Sequence, residues 1–448
     1  MLSLAGLASL AALLPLAAAA ATPEPVFIPI KIDGPVHNPT IGSYWYGPFN
    51  ESCSLVDVNG DGRPDITAGV NWYEAPNWTK HHAYFEGAER FFDGAERKEF
   101  LHTHCHEVAL DVNRDGLVDV VDSGEQSSIA GVLWYENPGP RGGKWKAHRV
   151  RRTPYMEGLE PADINGDRHP DLLLNHWRDV DAAGKLRAKV ESIVWLESID
   201  REPWLVEHVI APEADDHGGG AGDIDGDGRL DVVTRHGWYQ SPPRPADGPW
   251  QFHPDYDLPY PASFPMLVRD VNTDGRADIL VGNAHGYGLF WLEQRVDGQG
   301  KRSFLPHAIE TLYSNFHTLT LADVNGDGRA DLVTGSRLLG HNGTDEGEWD
   351  PLFLFWYDIQ GGRFERHLIS FNNLQYYPGQ QNVNPPPQYA ASTGMKITVG
   401  DINADGRADI VVSGRGGLYA FVNRGFAPRP KSVNPAVPLP GQACSPAK

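Results

Sequence analysis

Seven times along the 448-residue chain an aspartate opens a nine-residue run close to D-[VI]-[ND]-x-D-G-x-x-D, at Asp57, Asp111, Asp163, Asp223, Asp270, Asp323 and Asp401. Oxygen-bearing side chains stand at positions 1, 3, 5 and 9 and glycine at position 6, except that Arg168 takes the glycine's place in the third copy. Clustered carboxylate and amide oxygens are what a hard divalent cation binds, so structural calcium is the expected ion, up to one per copy. The candidate ligands are Asp57, Asn59, Asp61 and Asp65, then Asp111, Asn113, Asp115 and Asp119, then Asp163, Asn165, Asp167 and Asp171. They continue with Asp223, Asp225, Asp227 and Asp231, Asp270, Asn272, Asp274 and Asp278, Asp323, Asn325, Asp327 and Asp331, and Asp401, Asn403, Asp405 and Asp409. An Asx-rich hairpin turn is the competing reading, but three or four carboxylates in one turn repel unless a cation joins them. With Arg168 followed by His169, the third site is expected to be weak or empty.

Lys and Arg number 38 against 59 Asp and Glu, a net charge of −21. The seven loops hold 22 of those carboxylates, and without them the balance is +1. The acidity therefore marks the loops, and it argues against a nucleic-acid backbone as partner.

Of the eighteen histidines, fifteen fall into two sets. Six of them, His81, His148, His208, His253, His307 and His367, follow an aromatic by three or four residues and belong to the repeat, on its outer rim. His82, His102, His104, His106, His176, His217, His236, His285 and His317 lie off that pattern. Apart from His82 they fall, together with Arg178, Arg235, Arg337, Arg415 and Lys396, just before or some thirteen residues after the start of a nine-residue run, as do Glu51, Glu157 and Phe264. Tyr44 to Tyr46, Phe91, Phe92, Tyr155, Tyr260, Tyr313, Phe316, Tyr376 and Tyr377 stand in neighbouring loops, where flat rings beside charged donors suit a sugar.

The elements that must position these residues can be read from the same repeat. Each acidic run is preceded by a short apolar stretch and followed by a β-branched one, such as Asp231-Val232-Val233-Thr234, which makes strand, turn, strand. An aromatic third strand (Gly131 to Glu136, Leu289 to Glu293) and a fourth (Trp145 to Val150) complete the unit. Four strands make one propeller blade, so the fold class is all-β, a seven-bladed β-propeller over residues 22–426. The last copy ends at its third strand while Val26 to Ile32 is unclaimed, so an N-terminal strand is expected to close the seventh blade. The acidic turn then lies at one end of the ring. The off-pattern histidines and arginines gather at the other, as a cationic pit for an anionic ligand. Strand alternation would send His104 and His106 to one face and Cys105 to the other. Two long loops, residues 83–103 and 370–394, feed the same mouth.

Outside the propeller, residues 2–21 form an uncharged apolar run ending in small residues, read as a secretory signal cleaved near Ala21, with an uncleaved anchor as the competing reading. Residues 427–448 form a Pro-rich tail. Sequons at Asn50, Asn77 and Asn342 fit a secreted, extracellular glycoprotein, and three cysteines (Cys53, Cys105, Cys444) make no disulfide scaffold.

The runs DVNGDGRPDI, DINGDRHPDL and DVNGDGRADL resemble the FG-GAP and VCBS repeats of calcium-binding propellers, and each resembles the first nine positions of an EF-hand calcium loop. With its Trp-Tyr-Glu-x-Pro third strands (Trp72 to Pro76, Trp134 to Pro138) and its HTHCHEV segment, the chain looks like secreted polysaccharide lyases, in particular L-rhamnose-α-1,4-D-glucuronate lyases. It also resembles the propeller half of aldos-2-ulose dehydratases, without their cupin half. The first resemblance implies β-elimination on an acidic polysaccharide or oligosaccharide, possible release of terminal L-rhamnose included, by a secreted monomer that needs no nucleic acid and no membrane. His104 or His106 is then the expected base, with His82 and His217 as partners or acid. Arg178, Arg235, Arg337 or Arg415 would meet the uronate carboxylate, helped by His236, His285, His317 and Lys396. The second resemblance implies a dehydratase with zinc or another divalent metal in the pit; a third reading is a non-catalytic glycan- or protein-binding propeller.

Overall fold

The computed structural model describes the chain from residue 24 to 427 apart from 35–50, 70, 83–103, 125–130, 141, 154–155, 177–190, 214–216, 339, 342–343 and 373–390. Seven four-stranded antiparallel sheets stand as blades, and six of them take their strands in simple chain order. In the seventh, Glu24–Asp33 pairs with Gly417–Ala427 as the outermost strand beside Asp409–Gly414 and Ile397–Gly400. The expected closure is therefore present: the chain's first strand completes its last blade. No helix among the described residues is long and apolar enough to cross a membrane.

Strand alternation gives every blade two apolar faces, and each is buried against a neighbouring blade in its own core cluster. Blades 2 and 3, for instance, meet through Val121, Trp134, Leu159 and Leu172. At the closing joint Cys53, Ile66 and Tyr73 of blade 1 pack on Val411, Leu418 and Val422 of blade 7, with Ile30 and Ile32 of the N-terminal strand against them.

Two local devices recur in the blades. The ninth-position aspartate is buried under the acidic turn as a clamp: Asp65 accepts N–H bonds from Val58 at 3.1 Å and from Ala75 at 2.8 Å. Asp119, Asp171, Asp231, Asp278 and Asp409 repeat this, one oxygen taking the loop's second N–H and the other an N–H at the end of the third strand, while Asp331 takes the first from Val324. On the outer half, a third-strand tryptophan lies directly opposite a fourth-strand histidine, and the rings stack at 4.0 to 4.6 Å in Trp72–His81, Trp134–His148, Trp195–His208, Trp238–His253, Trp291–His307 and Trp356–His367. These are the six histidines assigned to the repeat. In the closing blade the same place is taken by Ala420 opposite Ile30.

Removing residues 22–33 should uncover both faces and the edge of Gly417–Ala427. The expected outcome is loss of the single cooperative thermal transition, with oligomers in size-exclusion chromatography. A truncated chain that melts like the full one would show that the latch is dispensable.

Candidate functional site

At the end of the ring opposite the acidic turns, three imidazoles converge. His217 sits at the entry of blade 4 in a left-handed backbone conformation (φ 51°), beside Gly218. His317 occupies the matching entry of blade 6, and His285 comes from the turn between Asp278–Gly282 and Tyr287–Val296 of blade 5. Nε2 of His285 lies 2.8 Å from Nε2 of His217, and ligand atoms of all three rings fall within 4.8 Å of one another. On the other side of His285, Nδ1 meets Asp345 at 2.5 Å, and Asp345 also takes Nδ1 of His341 at 3.0 Å while the rings of His341 and His285 stack at 4.3 Å.

Because Asp345 accepts at Nδ1, the neutral tautomer of His285 carries its lone pair at Nε2, facing His217. Burial, then the neighbouring His217, push His285 down to about 3, so it is neutral at physiological pH. Burial opposes ionisation of Asp345, but the bonds from His285 and His341 hold it below the usual carboxylate range. Converging imidazoles, one of them neutral and backed by a carboxylate, are a fitting donor set for zinc or a similar divalent ion.

Beside this cluster the expected arginines are engaged. Glu51, fully buried, accepts Arg337 at 2.8 Å (Nε) and 2.5 Å (Nη2), and Arg415 through Nε at 3.3 Å. Arg415 also donates to the carbonyl of Gly340 at 2.9 Å. Burial works against the Glu51 carboxylate, yet Arg337 and Arg415 hold it below its ordinary range. The two guanidiniums therefore bind an internal carboxylate where the sequence suggested an incoming one.

Lys396 lies apart from the imidazoles: its Nζ donates to Ser54 Oγ at 3.0 Å and to the carbonyl of Glu107 at 2.5 Å. The Glu107 carboxyl, fully buried, accepts from Thr67 Oγ1 and the Gly69 N–H, and burial pushes it up to about 7. Burial also pushes the Cys53 thiol up to about 12 and leaves it an inert core group. Arg235 donates to the Leu258 carbonyl at 3.0 Å and His236 meets Asp257 at 2.6 Å, so both engage the 255–258 segment.

His106 is buried and edge-on to Phe264, ring centres 5.8 Å apart, with Gly158 leaving that phenyl its room. The register slips between His104 and His106, which pair with Gly124 and Ser123. The side chains of His82 and His104, like Arg178, His102 and both long loops except 370–372 and 391–394, lie outside the described residues. Of the aromatics expected to face a sugar, Tyr313 and Phe316 are core residues packed on Phe353, and Tyr260 stacks on Phe290. His341 and Asp345 were not anticipated. The signal for them is the polar, His- and Asp-bearing insertion after the second strand of blade 6, where blades 1, 2, 4, 5 and 7 have shorter connections.

In the acidic turns, positions 1, 3 and 5 point inward. Asp57 accepts the N–H groups of Gly60, Asp61 and Gly62, and Asn59 Oδ1 that of Asp61. The turns thus answer part of their own repulsion, and in blades 4 to 7 an arginine at position 7 (Arg229, Arg276, Arg329, Arg407) pairs with the position 5 aspartate. Carboxylate atoms of Asp223, Asp225 and Asp227 still lie within 4.8 Å of one another, a spacing that fits calcium. The ninth aspartates, expected as ligands, have both oxygens on N–H donors in six blades and only their remaining lone pairs for an ion. In the third copy Arg168 adopts the left-handed conformation itself (φ 72°) and gives its N–H to Asp163 at 2.9 Å, so the turn keeps its shape without glycine at a cost of about 1–2 kcal/mol.

Residues 111–174 and 270–334 match the FG-GAP-like repeat family. The chain is a seven-bladed β-propeller carrying FG-GAP repeats. Among curated proteins none matches it. Among solved structures it is similar to a rhamnogalacturonan lyase PL11 of Bacillus licheniformis, at 12% identity and a TM-score of 0.42 over 88% of this chain and 75% of that one, a likeness too distant to bear on activity.

Glu51→Ala should leave two buried guanidiniums without their carboxylate and cost roughly 3–5 kcal/mol in denaturant unfolding; a change below 1 kcal/mol would mean solvent already screens the pair. Glu107 makes a prediction of opposite character. Its folded pKa lies above the unfolded value, so the stability it contributes is full below about pH 4.5 and is lost as pH rises through about 7. Glu107→Gln should flatten that part of the melting-temperature profile, and an unaltered slope would locate the titration elsewhere.

Proposed function

We propose that the chain is a secreted carbon–oxygen lyase that cleaves a uronate-containing glycan by β-elimination, with calcium in the blade turns and a divalent cation among His217, His285 and His317. The observation that carries this reading is the imidazole triad, with His217 and His317 buried, His285 partly buried and Asp345 behind His285. Elimination beside a carboxylate needs a positive charge on that carboxylate, a base for the C5 proton and an acid for the departing O4. Arg337 and Arg415 are neutralised in part by Glu51, which favours a cation on the imidazoles for the first task. Bound there, a divalent ion would draw charge from the carboxylate and acidify the C5 proton.

The chain's own groups supply the rest. Asp345 fixes the tautomer of His285 and holds its Nε2 lone pair toward His217. His106, buried beside Phe264, takes the C5 proton in this reading, with His104 as its alternate and His82 as a partner for the leaving oxygen. The two arginines on Glu51 keep an excess of one positive charge next to the triad, which attracts an anionic sugar. A sugar dehydratase is the second reading, favoured by the same triad, since loss of water from C–OH beside a carbonyl asks for the same groups. Residues 1–21 act as the secretory leader in either case.

The test is absorbance of unsaturated uronate released from a panel of acidic glycans, with metal content measured in parallel. His106→Ala should lower kcat by roughly 10²–10⁴-fold with metal retained, and His285→Ala should lose both metal and turnover. Wild type that holds the ion yet yields no unsaturated uronate from any member, while dehydrating a neutral sugar to a conjugated enone, would replace the first reading by the second.

A further inference from the structure

The acidic turns are wired to the outer strands through one third-strand residue, two positions after the stacking tryptophan. In blades 1, 3 and 5 this is Glu74, Glu197 and Glu293, which accept the side-chain amide of loop position 3, Asn59, Asn165 and Asn272, at 3.4, 3.1 and 3.3 Å. The other oxygen of each glutamate lies 2.7 Å from Nε2 of His81, His208 or His307, the ring stacked on tryptophan. Blade 4 exchanges the two chemistries: position 3 is Asp225 and the strand residue is Gln240, whose amide donates to Asp225 at 2.5 Å while its oxygen lies 3.2 Å from His253.

Each pair thus holds one carboxylate and one amide, and the carboxylate dictates which amide atom faces it. The result is the same in all four blades: the position 3 side chain is gripped by one end, and its Oδ1 is turned into the loop, where it accepts the position 5 N–H at 2.9 to 3.1 Å. What differs is the charge. The exchange in blade 4 moves the negative charge from the strand into the loop, so that positions 1, 3 and 5 are Asp223, Asp225 and Asp227, all within 4.8 Å.

We propose that Glu74, Glu197, Glu293 and Gln240 are positioning residues for the loop cation, and that the exchanged pair makes the blade 4 loop the tightest calcium site of the four. The proposal rests on calcium occupying the turns. An additional ligand charge raises affinity for a hard cation, but an Asp facing a Glu at this distance would repel before the ion arrived; Gln240 removes that repulsion and still holds the ligand. The relay also ties the ion to the fourth strand, because the same residue carries the stacked histidine.

A double-mutant cycle on Asp225 and Gln240 in the full chain tests this, read by calcium calorimetry and by melting temperature in chelator and in calcium. Asp225→Asn should weaken the tightest binding step at least tenfold and lower the melting temperature little in chelator. Gln240→Glu should lower the melting temperature in chelator by several degrees, or prevent folding there, and calcium should restore it. The double variant recreates the pairing of blades 1, 3 and 5: it should melt like wild type in chelator and bind calcium with the weaker affinity of those loops. A coupling of the same size in chelator and in calcium would reduce the pair to a structural hydrogen bond and overturn the proposal alone. Wild type that takes up no calcium and shows no calcium-dependent melting would overturn the calcium reading and the proposal with it.

Discussion

A carboxylate buried beneath each acidic turn is the interaction on which the rest of the architecture depends. A tight turn between two strands leaves N–H groups that no ladder can pair, and in a ring whose blades pack face to face water cannot reach them. The ninth-position aspartate accepts one such N–H from the turn and, in six blades, another from the far end of the third strand. It thereby ties the inner hairpin to the outer one. An EF-hand comparison treats this residue as a ligand; the propeller uses it as a clamp.

The candidate site follows from the same geometry. Because all seven turns lie at one end of the ring, the entries of the first strands and the turns after the second strands share the other end. His217, His317 and Glu51 stand at such entries, and His285, Arg337 and Arg415 follow second strands. Side chains far apart in the chain meet there because the ring closes: Glu51 and Arg337 are separated by 286 residues, and Arg415 belongs to the blade that Glu24–Asp33 completes. The latch and the buried ion pair are therefore two parts of one closure.

Much of this was legible in the chain. The nine-residue run, repeated seven times, located every blade, and the recurrent histidines could be set aside as structural because they follow an aromatic near the start of the fourth strand by three or four residues; the ring each stacks on is a different one, the third-strand tryptophan. What could not be read was pairing between blades. Nothing local in the sequence says that Glu51 neutralises Arg337 and Arg415, or that Lys396 turns to Ser54 and the Glu107 carbonyl rather than to the imidazoles. The register slip between His104 and His106 could not be read either, because it is a property of the pair of strands, not of either one. Asp345 was missed because it lies outside the repeat, in an insertion whose sequence has no counterpart in other blades.

Charge separates the two ends of the molecule. At the turn end, aspartates are held by N–H groups and arginines and retain inward oxygens for a hard cation. At the other end, burial keeps His285 neutral, so its lone pair is available at neutral pH, and Asp345 keeps that lone pair pointed at His217. A softer ion preferring nitrogen would sort to the imidazoles, and calcium to the oxygens of the turns, by ligand chemistry alone. Glu51 serves this division as well: by partly neutralising the arginines beside His317 it lowers the repulsion that a bound dication would otherwise meet, while leaving one positive charge in excess for an anionic ligand. The carboxylate that removes the arginines from direct recognition is thus also what makes a cation among the imidazoles electrostatically tolerable.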